Sequence, residues 1–421
     1  MIGEAPPEVR KIMEEVSQAF QKKTDPPQSM ALLKRRAEDD LPEMKKVLRS
    51  FGFFKSKISL KLSPPREGEA ATSDFQANPE EVEAHPPPGA VPAVPANVLF
   101  QVDPGPRFSF GEASVSLSEE APKDSSVPPS AAEAGIVKQA PYAAAKVVEA
   151  GNYLLIHYKN NGYPFPKIAH RDVVADFSTN TVQVRYQVNP GVEARFGETS
   201  VEGLKKLEPG YVYELIPWKT GEKYDNRLIE KARRILFDTN LFSMIEFNNP
   251  GKVDARGQLP ITVKMGERSL RTIRLGLEYT TDYGPGVNGS WTHRNLFGMG
   301  EKLTAGAIFN SKIRTASLRF EKPMFLEKKN TFISEGAFND ETTDAYDARS
   351  VEVSTILSRK FTKTFQAGAG AGFRYGRVKQ KTDDEHTIYH LAFLPLTASQ
   401  DTREDLLNPT HGYNFTLSTA P

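Results

Sequence analysis

The chain predicts a repeated α+β region followed by an antiparallel transmembrane β-barrel that stops short of closure. Three observations carry that reading: a motif that recurs in the front half, helices that precede paired strands there, and period-two alternation from Leu270 onward. Bulk properties set its limits. At 421 residues the chain exceeds one ordinary domain and divides into roughly three or four. A net charge of +1 supplies no field for binding nucleic acid. There is no cysteine, which excludes disulfides and thiolate metal sites. No run approaches the roughly 20 apolar residues of a membrane helix, a test that alternating barrel strands escape. The opening MIGEAPPEVRKIMEEV has no basic segment leading into an apolar stretch, so no signal peptide is visible. The expectation is that the chain begins inside a longer product.

In the front half, PGPRFSFGEASV from Pro104 aligns without a gap on PGVEARFGETSV from Pro190. Phe110, Gly111 and Glu112 of the first match Phe196, Gly197 and Glu198 of the second. Each copy has a β-rich segment running into Pro-Gly, where proline presets φ and glycine accepts positive φ, so a turn is expected. Helical spacing follows the same rhythm. Leu33, Ala37, Leu41, Met44 and Leu48 form one apolar stripe, which Pro42 is expected to kink or divide. Ala144, Val147, Gly151, Leu154 and Tyr158 form a second, and Tyr224, Leu228, Ala232 and Ile235 a third. Gly52, Gly162 and Asn240 stand where a left-handed residue stops each helix. These stripes predict core packing. Residues 63–96, rich in Pro, Ala and Glu, are expected to be disordered, and 118–134 to be a shorter solvated loop of the same kind.

Units that read strand, helices, strand, turn, strand around a Phe-Gly-Glu opening resemble POTRA domains, the periplasmic modules of outer-membrane assembly proteins and of two-partner secretion transporters. The resemblance divides the chain into a partial first POTRA-like domain at 1–105, a second at 106–190, a third at 191–267 and the N-terminal part of a barrel at 268–421. It implies that open sheet edges receive extended peptides.

From Leu270 the chain alternates. Ile273, Leu275, Leu277 and Tyr279 interleave with Thr272, Arg274, Gly276 and Glu278, and Phe365, Ala367, Ala369, Ala371, Phe373 and Tyr375 interleave with Gln366, four glycines and Arg374. Segments of this length suit membrane strands of about 9 to 11 residues. Tyr279, Trp291, Phe309, Phe320 and Tyr375 fit interfacial girdles. Alternation predicts about nine strands. Residues 291–301 read WTHRNLFGMGE: Trp291, then Arg294, Asn295, Leu296, Phe297, Gly298, and Gly300 with Glu301. This resembles the turn between early barrel strands in the BamA and TamA family, with TamA the nearest. In that turn Asn295 and Gly298 suit the tight bend, Leu296 and Phe297 anchor it at the lipid boundary, and Arg294 and Glu301 pair or face the lumen. LNPTHGYNF from Leu407 resembles a later strand entry of the family, with His411 in place of its usual arginine. No Arg-Gly-Phe follows, and the end at Pro421 is no aromatic strand terminus, so both ends read as truncated. A partial barrel is expected not to insert alone, because its edges stay unpaired in lipid.

No catalytic constellation assembles. His170-Arg171-Asp172 imitates a kinase loop without its companions, the run at 368–372 lacks a phosphate-site lysine, and His386 and His390 stand at helical rather than strand spacing. The expectation is therefore a non-enzyme without cofactor or metal. The resemblance implies an outer-membrane assembly factor with periplasmic modules, acting on unfolded outer-membrane proteins or autotransporters. It also implies an inner-membrane-anchored TamB-like partner, contact with outer-membrane lipid, and no nucleic acid. The alternatives are a two-partner secretion transporter or a structural barrel.

Overall fold

The computed structural model describes residues 5–23, 27, 29–63, 97–382, 385–405 and 408–421. Residues 64–96, nearly all of the stretch expected to be disordered, lie outside them. The chain forms two compact units, Met1–Glu193 and Ala194–Pro421.

The first unit opens with helices α1 (Pro7–Val16), α2 (Gln18–Gln21) and α3 (Met30–Ser50) and the antiparallel pair β1 (Lys57–Ser63) and β2 (Asn97–Asp103). Helix α3 runs from Met30 to Ser50 with Pro42 inside it, so the proline does not divide it, and it buries Leu33, Ala37, Met44, Val47 and Leu48. The continuing apolar stripe outweighs the single lost backbone bond. Next come β3 (Ser109–Leu117), α4 (Ala144–Asn160), β4 (Lys167–Asp176) and β5 (Thr181–Asn189), in a sheet ordered β3-β5-β4. Residues 118–134 correct the expectation of a solvated loop. Ala131 and Ala134 are buried with Val147, Leu154 and Tyr158, the Ser126 amide donates to the Tyr163 hydroxyl at 3.0 Å, and the Tyr158 hydroxyl donates to the Ser126 carbonyl at 3.3 Å. Small apolar residues spaced among the prolines give this segment a core face that composition hides.

The second unit begins with the same pattern: β6 (Arg195–Glu202), α5 (Pro209–Leu215), α6 (Asn226–Asp238), β7 (Phe242–Asn248) and β8 (Gln258–Glu267), ordered β6-β8-β7. Helix α6 buries Ile229, Ala232 and Leu236, one residue on from part of the expected stripe. Gly52, Gly162 and Asn240 follow α3, α4 and α6 at φ +90°, +104° and +59°, the left-handed stop expected of them. The strands around each Pro-Gly do not pair with each other, since they belong to different sheets. Each Pro-Gly is instead an Asx turn between sheets: the Gly105 amide donates to Asp103 Oδ1 at 3.1 Å, and the Gly191 amide to Asn189 Oδ1 at 3.0 Å.

Three residues after β8, ten antiparallel strands form one sheet: β9 (Arg271–Thr280), β10 (Gly284–His293), β11 (Lys302–Asn310), β12 (Ile313–Pro323), β13 (Asn330–Thr342), β14 (Tyr346–Lys360), β15 (Phe365–Gln380), β16 (His386–Phe393), β17 (Leu396–Asp401) and β18 (Asn414–Thr419). Both β16 and β17 pair with β15 in one continuous register, Gly372↔Phe393 and Ala369↔Leu396, interrupted at Leu394-Pro395. They share one strand position, which is why alternation gives nine positions for ten segments. The run 368–372 lies within β15, and the rings of Phe393 and Tyr389 lie over Gly372 and Gly376.

Paired residues of neighbouring antiparallel strands project to one side, so register assigns the faces. One face carries Ile273, Trp291, Ala305, Leu318, Val353 and Phe373 in a single row. On β9 its side chains are 70–87% exposed. The other face carries Thr272, Thr292, Thr304, Arg319, Glu335 and Ser354, and is knit by ion pairs: Arg319 with Glu335, Lys302 with Glu321 at 3.3 Å, and Arg374 with Glu352 at 2.7 Å. An exposed apolar face backed by an ion-paired polar one is the pattern of a membrane barrel wall.

Candidate functional site

The Phe-Gly-Glu motif marks the same irregularity in two sheets. Pairing slips by one residue between Phe110 and Ala113 against β5, and between Phe196 and Thr199 against β8, leaving a β-bulge in each opening strand. Phe110 and Phe196 are buried, whereas Glu112 and Glu198 face solvent. The surroundings repeat as well. Phe110 exchanges backbone bonds with Gln139 and Ala140 and packs on Tyr142 at 5.2 Å, while Phe196 does the same with Gly221, Glu222 and Tyr224, again at 5.2 Å. Gly197 is fixed by space: a Cβ there would stand 2.8 Å from the Pro260 nitrogen. Gly111 has more room, its nearest neighbour being the Thr181 hydroxyl at 3.1 Å.

The 291–301 motif joins β10 to β11, and it is more than a turn. Asn295 is 4% exposed and bridges two segments. Its Oδ1 accepts the Gly300 amide at 2.9 Å, and its Nδ2 donates to the Lys206 carbonyl, in the loop after β6, at 3.0 Å. The Glu208 amide donates to the Gly298 carbonyl at 3.0 Å. Gly298 and Gly300 lie at φ +103° and +76°, the second directly beneath the Tyr211 ring of α5. Burial, with the Glu301 charge nearby, pushes the Tyr211 hydroxyl up to about 12. Glu301, 1% exposed, closes the turn from inside, accepting the amides of Phe297 at 3.3 Å and Met299 at 3.0 Å.

Arg294 and Glu301 do not pair. Arg294 Nη1 donates to the Ser269 carbonyl at 3.2 Å and its amide to Leu270 at 2.9 Å, while Glu301 stands 3.8 Å from Lys322. The reason is strand direction: Arg294 leaves β10 towards the 268–270 link, whereas Glu301 turns inward at the start of β11. Leu296 is half-buried, and Phe297 is 70% exposed with its ring 6.4 Å from Phe320. Trp291, on β10, belongs to the apolar face. A second turn, between β12 and β13, also reaches the α+β module, through Lys328 and Glu214 at 2.9 Å. Sequence reading missed Lys206, Glu208, Tyr211 and Glu214, for they carry no motif and lie about 90 residues from their partners or further. At the last predicted strand entry, His411 stands 3.3 Å from Glu404, and β18 begins three residues later. Leu407 lies outside the described residues. Among those residues, no cluster of His, Asp or Glu has the arrangement of a metal site.

Comparison with known proteins places these features. Residues 295–421 match the Omp85 superfamily domain. The outer membrane protein assembly factor BamA of Nitratidesulfovibrio vulgaris is 22% identical over 211 residues, covering 50% of this chain and 26% of that protein. BamA of Neorickettsia risticii is 23% identical over 246 residues, covering 57% and 31%. The chain thus spans a third or less of these curated relatives. The crystal structure of BamA from Haemophilus ducreyi lacking POTRA domains 1–3 superposes with a TM-score of 0.61 at 15% identity, covering 74% of this chain and 63% of that one. The fold is therefore POTRA-like α+β modules followed by a sheet that matches the BamA barrel. The superfamily match is confined to residues 295–421, and none of these likenesses singles out TamA.

Proposed function

We propose that this chain works in an Omp85-type outer-membrane machine for protein assembly or secretion, its α+β modules in the periplasm and its sheet in the membrane. One observation carries the reading. A sheet with an exposed apolar face and an ion-paired polar face follows a Phe-Gly-Glu module after only three residues, and the family motif seats on that module. Edge strands such as β4 and β7 offer backbone to an extended, unfolded client.

Within that class the finer reading is a TamA-like factor that helps insert outer-membrane proteins, autotransporters among them. Its modules engage the client or an inner-membrane-anchored TamB-like subunit, and its apolar face meets outer-membrane lipid. No bond-making chemistry is assigned to it. Deleting the gene and measuring the outer-membrane proteome tests both levels. Reduced levels of several barrel proteins or autotransporters are expected. Loss of a single secreted protein with all others intact would make it a dedicated secretion transporter, and unchanged levels throughout would overturn the proposal.

A further inference from the structure

Glu267 is the last residue of β8 and stands immediately before the 268–270 link into β9. Its side chain does not face solvent freely. Oε1 accepts three consecutive backbone amides, from Lys205 at 2.7 Å, Lys206 at 2.8 Å and Leu207 at 3.0 Å. Consecutive amides converging on one oxygen form a nest for negative charge, here filled by the chain's own carboxylate. Burial alone would raise this carboxyl, but the three amides outweigh it and hold it below the ordinary glutamate value. The loop is also closed from behind. Gly203, at φ +88°, lies against the Met265 carbonyl so tightly that no side chain fits.

The nest fixes the orientation of the peptide units between 205 and 208. The amides of 205, 206 and 207 turn towards Glu267, and the Lys206 carbonyl accepts Asn295 Nδ2 while the Glu208 amide reaches the Gly298 carbonyl. A carboxylate at the end of one module strand therefore shapes the surface on which the 294–301 turn rests. The same residue immediately precedes the link whose carbonyls, at 269 and 270, are held by Arg294. Two of the links from the third module to the first sheet strands therefore lie beside Glu267.

We propose that Glu267 is the positioning residue of this junction: by gathering the 205–207 amides it presents the seat that holds the Asn295–Gly300 turn. It belongs to no recurring motif. Its role is carried through the loop, so its loss disorders the seat and the turn together and spares the module core.

Hydrogen exchange of the full-length protein in outer-membrane preparations tests this, with Glu267→Ala, Glu267→Gln and Glu267→Asp compared with the parent. In Glu267→Ala, faster exchange is expected in peptides covering 205–208 and, across the junction, 295–300, with 259–265 as protected as before. Glu267→Gln, which keeps an acceptor oxygen, should restore part of the protection at both places. Faster exchange confined to 205–208 would overturn the proposal, because the turn would then be held without the seat. Loss of protection at 259–265 as well would equally overturn it, by making Glu267 a residue of the fold rather than of the junction. Glu267→Asp, one methylene shorter, is expected to behave like Glu267→Ala at 295–300, and full protection there would sink the three-amide geometry. None of these readouts depends on which client the protein handles.

Discussion

Gly300 combines two demands that no other residue meets. Its φ of +76° excludes most side chains, and a Cβ would stand 2.8 Å from the Tyr211 ring. Gly300→Ala should therefore cost about 1–3 kcal/mol through backbone strain alone, with the displaced ring adding to it. The expected result is a lower folded fraction in heat-modifiability gels, whereas Phe297→Ala at the exposed tip should change it little. Glu267 adds a pH dependence. Its carboxyl is lowered in the folded protein, so its stabilisation is present above the unfolded value of about 4.3. That stabilisation is lost as pH falls through the lower folded value. Amide exchange at 205–207, corrected for intrinsic rates, should stay slow at pH 7 and accelerate below about pH 4. Slow exchange throughout the acid range would show that the loop holds without the charge.

At the scale of elements, one motif has two different tolerances. Both Phe-Gly-Glu glycines sit in a bulge, but Gly197 is flanked by backbone of Leu259 and Pro260, which cannot retreat, and Gly111 by a threonine side chain, which can. Gly197→Ala should destabilise its module by about 1–3 kcal/mol, as overpacking does, and Gly111→Ala by clearly less. Chemical denaturation followed by limited proteolysis separates the two, and equal losses would refute the steric account. Sequence comparison finds the motif in both copies. It does not tell that the bulge is the shared feature, because a bulge is a relation between two strands and its partner residues, Val182 and Leu259, lie more than 60 residues away.

The whole second unit depends on the two faces of its sheet being opposite in character. Leu275 lies on the apolar face, 85% exposed, and Ser317 on the polar one. Leu275→Arg is expected to cost about 2–4 kcal/mol near the bilayer midplane, whereas a charge facing the lumen is tolerated. Folded protein recovered from outer membranes should fall sharply for Leu275→Arg and hardly at all for Ser317→Arg. Similar yields for both would mean that the apolar face does not meet lipid. The polar face has its own order: Arg319, Glu335, Glu321 and Lys302 form a connected set across two strand pairs, β11 with β12 and β12 with β13, so neutralising one member leaves charges that water in a lumen can still solvate.

Local pattern alone determined that α3, α4 and α6 are helices, where glycine or asparagine stops them, and which side of β9 and β15 is apolar. Those properties follow from spacing along the chain, and spacing is all that a 3.6- or two-residue period requires. Pairing at a distance is a different kind of fact. The continuity of β16 and β17 as one strand, the burial of Ala131 and Ala134 within a proline-rich stretch, and Glu301 turning away from Arg294 towards Lys322 were decided by partners far along the chain. So was the seat of the family motif. WTHRNLFGMGE resembles a barrel turn as a sequence, but only the tertiary structure sets Lys206 and Tyr211 against it, with Glu267 behind Lys206. A hydrogen bond between Asn295 and a main-chain carbonyl 89 positions earlier leaves no mark on the identity of the residue that carries it.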